Sequence, residues 1–119
     1  MAFEPTEKEK VLESLMSAHS QGQLAEVSLR LQGKPDEADK LKPGNTRLST
    51  EIDTLIGQMM DEWLGDAERA IKGLAKANTM LEAAIAEIKK QINVAQNVVK
   101  IIGLLDDAVA IAKKVAAGF

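Results

Sequence analysis

The chain has 119 residues with no cysteine, and 15 Lys and Arg stand against 18 Asp and Glu for a net charge of −3. That length suits one domain, the missing cysteine excludes disulfides, thiolate zinc sites and a cysteine nucleophile, and the acidic balance argues against nucleic acid as a partner. Two Phe, one Trp and no Tyr beside 28% charged residues predict an all-α protein rather than a sheet.

The N-terminal residues Met1 to Lys10 contain no apolar run, so a cytoplasmic location, or export without a cleavable signal peptide, is expected. A first helix is expected from Thr6 to Leu31. Thr6 and Glu9 make a capping box behind Pro5, and Val11, Leu15, Ala18, Gly22, Ala25 and Leu29 keep three-and-four spacing. Gly22 weakens that helix, since an interior Gly costs ~1 kcal/mol relative to Ala. Val27, Leu29 and Leu31 also alternate as a short strand would, but the chain offers no second strand to pair with it. Residues 33–45 hold two of the three prolines and two glycines and predict a loop. A second helix is expected over 46–64, with Leu48, Ile52, Leu55, Ile56 and Met59 inward. Its stripe would next reach Glu62 and Asp66, so the phase slips near Trp63-Leu64-Gly65. The helix either absorbs the slip as a stutter or ends at Gly65, with Asp66 capping a new one.

From there a heptad frame takes over. Every seventh residue is apolar: Met60, Ala67, Leu74, Leu81, Ile88, Ala95, Ile102, Val109 and Ala116. Leu64, Ile71, Asn78, Ile85, Ile92 and Val99 lie three or four residues off that row. The pattern predicts a long helix over 66–117, about 78 Å at 1.5 Å per residue, with coiled-coil-like packing in an elongated bundle. The candidate interaction seam is Leu74, Asn78, Leu81, Ile85, Ile88, Ile92, Val99, Ile102 and Val109. Asn78 either fixes register within an apolar seam or marks a bend or helix boundary. Residues 98–117 are apolar around most of the helix and need cover from protein or lipid. Their five charges make an unaided membrane span too costly, leaving a core helix, an interface-bound helix or the lining of an oligomeric pore.

Trp63 and Gly65, in Trp63-Leu64-Gly65-Asp66-Ala67, are a candidate turn anchor. The segment resembles the turn of the tryptophan-X-glycine helical hairpins exported by type VII secretion systems. The resemblance implies two antiparallel helices joined there, in a secreted dimeric substrate or partner. The chain departs from that family in its 62 residues before the Trp and in its lack of Tyr.

No catalytic constellation can be assembled from these residues. His19 is the one histidine, no Glu-x-x-His pair occurs, and the carboxylates of Asp61, Glu62 and Asp66 or of Asp106 and Asp107 read as solvated faces. No cofactor or metal is expected. The sequence therefore predicts a non-enzymatic helical interaction or assembly protein, joined to copies of itself or to a partner helix. A membrane-active protein using 98–117 and a secreted hairpin partner are the alternatives.

Overall fold

The computed structural model describes residues 5–58 and 67–117. Four helices make up the fold: α1 (Pro5–Leu31), α2 (Pro35–Gly57), α3 (Ala67–Lys89) and α4 (Val94–Ala117). Each carries one apolar row in three-and-four spacing, and the rows meet in a common core. On α1 the row is Val11, Leu15, Ala18, Gly22, Ala25 and Leu29; on α2 it is Ala38, Leu41, Asn45, Leu48, Ile52 and Leu55. On α3 it is Ala70, Leu74, Ala77, Leu81, Ala84 and Ile88; on α4 it is Val98, Ile101, Leu105, Ala108, Ala112 and Val115. All of these are buried. Matching positions of α1 and α3 are 59 residues apart, and those of α2 and α4 are 60 apart. Both hairpins thus use one core register.

Around the bundle the order is α1, α2, α4, α3. α1 and α4 touch across the middle, and α2 and α3 occupy opposite corners. Gln32, just past the end of α1, donates to the carbonyl of Ile88 near the end of α3 at 2.7 Å, so α1 and α3 run parallel. Arg47 of α2 and Asp106 of α4 pair at 2.8 Å near the middles of two likewise parallel helices. The long axis measures 46 Å, too short for a continuous 66–117 helix.

That expectation is corrected: the last segment is two antiparallel helices. Lys89 closes α3 with a left-handed turn in which Gln91 and Asn93 have φ of 59° and 46°. The amide of Gln91 donates to the carbonyl of Ile88 and that of Ile92 to Glu87, both at 2.9 Å, which is how a helix end satisfies its last carbonyls. Asn97 then ties the turn shut. Its buried Nδ2 reaches Glu87 Oε2 at 2.8 Å and the carbonyls of Ile92 and Asn93 at 3.1 Å. No Gly or Pro punctuates this turn, and apolar residues at Ala95 and Ile102 keep the heptad count through it by coincidence. Beyond the turn the buried row moves to Val98, Ile101 and Leu105, leaving Ala95 and Val99 exposed.

The 33–45 loop is also corrected. The first hairpin turns within Gln32–Lys34, where Gly33 has φ 74° and the amides of Gly33 and Lys34 bond back to Arg30 and Leu29. Pro35 starts α2, where its missing N–H is no loss. Pro43 sits inside α2 on its exposed side. Helix wins there because Ala38, Leu41, Asn45 and Leu48 bury a full stripe, which outweighs a local breaker. Gly44, the other loop marker, is buried against Leu105, 3.3 Å from where a Cβ would stand.

The expected first helix is present and begins at Pro5. The second matches from residue 46 to Gly57. Within it Leu48, Ile52 and Leu55 point inward, whereas Ile56 is exposed. Met59, Met60, Trp63, Leu64 and Gly65 lie outside the described residues, as do the side chains of Thr6 and Ala67.

Candidate functional site

Polar ties join each of the four pairs of neighbouring helices. Between α1 and α2, Asn45 Nδ2 donates to Glu26 Oε1 at 2.7 Å and Arg30 meets Asp39 at 2.7 Å. Between α1 and α3, Asn78 Nδ2 donates to the carbonyl of Ser14 at 3.0 Å and accepts from Gln21 Nε2 at 2.9 Å. Arg47–Asp106 joins α2 to α4, and Asn97–Glu87 joins α3 to α4. These fix the register of one helix on the next. They arrange no nucleophile beside a base.

Of the expected seam, Leu74, Leu81 and Ile88 are fully buried, and Ile85 and Val109 nearly so. They meet helices of their own chain. Ile102 is half-buried and packs against the same core. Ile92 and Val99 are exposed because the turn at 90–93 and the phase change after it rotate them outward. Asn78 is half-buried in mid-helix, so the boundary reading falls, and its amide serves the α1–α3 contact instead. α2 and α3, which flank the tryptophan-X-glycine segment, run antiparallel but stand diagonally across the bundle, and Trp63 and Gly65 themselves lie outside the described residues.

The apolar circumference of 98–117 is consumed mostly by the core, through Val98, Ile101, Leu104, Leu105, Ala108, Val109, Ala112 and Val115. Among the described residues no helix is long and apolar enough to cross a membrane. Nor does any group of three or more His, Asp or Glu among them stand close enough to hold a metal ion. His19 is half-buried beside a polar groove of about 370 Å³ lined also by Glu26, Lys42, Asn45 and Thr46.

α1 carries a second apolar face that the sequence reading overlooked. Met16, Leu24, Val27 and Leu31 are 51%, 44%, 52% and 84% exposed, and their spacing of eight, three and four places them opposite the core row. Ser17, Ser20 and Ser28 lie among them, and the stretch from Ser14 to Leu29 contains one acidic residue, Glu26, and no Lys or Arg. A solvent-facing side of a bundle helix is ordinarily charged. Beside this face a groove of about 290 Å³ opens between α1 and α3, lined by Ser17, Gln21, Leu24, Glu82, Ile85, Ala86 and Lys89. The signal was legible: the apolar residues of α1 fall on two sides of the helical wheel, which one inward row does not require.

Comparison with family models, curated proteins and solved structures finds no match to this chain.

Proposed function

We propose that this protein is a non-enzymatic helical bundle that works by contact, presenting the outward face of α1 and the adjoining α1–α3 groove to another helix. The observation that carries this reading is the charge-free apolar stripe Met16, Leu24, Val27 and Leu31 on a helix whose core row is already satisfied. Removing such side chains from water gains roughly 25 cal/mol per Å², and an exposed apolar stripe on one helix face suits a docking surface. The polar ties between neighbouring helices give the bundle fixed register, so the stripe is held on a rigid support.

Photo-crosslinking in the cells that make the protein tests this. A benzoylphenylalanine at Val27 is expected to yield a discrete adduct, while one at Lys113, exposed on α4, yields none. Absence of any adduct from position 27, or equal adducts from both positions, would overturn the reading.

A further inference from the structure

On α3, Glu82 and Lys89 are exposed and form no ion pair among the described residues. They are seven residues apart, two helical turns or about 10.5 Å. Ile85 and Ala86 lie between them, and Leu24 of α1 faces the same groove. A helix that fits here offers a cation to Glu82 and, two turns further on, an anion to Lys89, with apolar residues between.

α3 itself is that helix when reversed. We infer that the α1–α3 groove is a two-fold interface between two copies of this chain, with α3 antiparallel to its partner's α3 about an axis beside Ile85 and Ala86. In that register Glu82 meets the partner's Lys89, and Lys89 meets the partner's Glu82. Ile85, buried in its own core, forms the floor of the groove, and the exposed Ala86 stands beside the axis in both copies, small enough for the helices to approach closely. α1 then lies along the partner's α1 at the level of Leu24 to Leu31 and covers the exposed Leu24, Val27 and Leu31. A parallel pairing would set Glu82 against Glu82 and Lys89 against Lys89, so charge selects the antiparallel arrangement. The contact is self-complementary and closes at two copies.

This inference rests on the α1–α3 side being the contact surface, and its test separates the two ideas. The purified full chain is followed by sedimentation velocity over a dilution series, as wild type, Glu82→Lys, Lys89→Glu and the double exchange. Wild type is expected to move from 12.8 kDa toward twice that mass with concentration. Each single reversal places like charges opposite each other twice and raises Kd about tenfold, and the double exchange restores it. Both side chains are exposed, so thermal melts by circular dichroism at concentrations low enough for all four proteins to be monomeric should nearly coincide, which separates loss of association from loss of fold. A wild-type mass of 12.8 kDa at every concentration, or a dimer indifferent to the single reversals or not recovered by the double exchange, overturns the inference. Monomeric wild type together with a Val27 crosslink to a different protein would retain the contact surface and discard the two-fold.

Discussion

The amide of Asn45 occupies the space that a side chain on Gly22 would need. A Cβ at position 22 would collide with the Oδ1 and Cγ of Asn45 and press on Leu105. The two residues lock α1 to α2 at mid-bundle, with Asn45 Nδ2 anchored on Glu26 and its Oδ1 buried without a hydrogen-bond partner. Helix propensity alone says that Gly22→Ala should stabilise α1 by ~1 kcal/mol. The structure reverses the sign. Gly22→Ala is expected to destabilise by about 1–3 kcal/mol through overpacking, read as a lower urea midpoint. Adding Asn45→Ala removes the collision, so the double mutant should be more stable than additivity of the singles allows. Additive losses would show that the two side chains do not share this space.

The α3–α4 turn holds Gln91 at φ 59°, a conformation that costs a non-glycine residue roughly 1–2 kcal/mol. Gln91→Gly should relieve about half to all of a kilocalorie after its unfolded-state entropy is counted. Asn97→Ala should do the opposite and cost about 1–3 kcal/mol, because three acceptors lose their shared donor. Guanidinium melts of the two variants should therefore bracket the wild type, Gln91→Gly above and Asn97→Ala below.

Pro43 interrupts the hydrogen-bond ladder of α2 from an exposed position. Restoring an amide there with Pro43→Ala recovers part of the ~3 kcal/mol that a helix-interior proline costs, less up to about 1 kcal/mol from the freer unfolded chain. A net gain of about 2 kcal/mol, seen as a higher melting temperature, is expected. A loss would mean that proline at position 43 is needed to seat Gly44 against Leu105.

Leu105 of α4 packs against both Gly22 and Gly44, 3.1 and 3.3 Å from where their Cβ atoms would stand. Leu105→Ala should cost about 2–5 kcal/mol by leaving a cavity that rigid neighbours cannot fill. Removing all but the first turn of α4, as in a chain ending at residue 97, exposes the core rows of α2 and α3. That truncation should lose its cooperative thermal transition, so it reports folding and not oligomeric state.

The sequence made some of this legible and hid the rest. The α1 core row from Val11 to Leu29 could be read directly, because one face of one helix suffices to show a three-and-four repeat. The same holds for Leu74, Leu81 and Ile88. Pro35 and Gly33 signalled a turn, but Pro43 and Gly44 gave the same signal in mid-helix. Local punctuation does not report that Leu41, Asn45 and Leu48 will be buried on both sides of it. The turn at 90–93 was missed for the complementary reason: its left-handed positions are filled by Gln91 and Asn93. The apolar count ran on through it because alanine at 95 satisfies a heptad whether buried or exposed.

Composition and periodicity by themselves determined that this chain is helical, that its helices bury one stripe each, and that no cysteine chemistry is open to it. Those properties depend on residue type and near-neighbour spacing, which one strand of text contains. Only the tertiary structure decided that the last segment folds back, that α2 and α3 stand on opposite corners, and that Leu74, Leu81 and Ile88 meet their own chain. It also decided that a side chain at position 22 would meet Asn45 and Leu105, and that α1 carries an exposed apolar row opposite its core row. These depend on which rows meet across space, and a three-and-four repeat is equally satisfied by a partner in the same chain or in another.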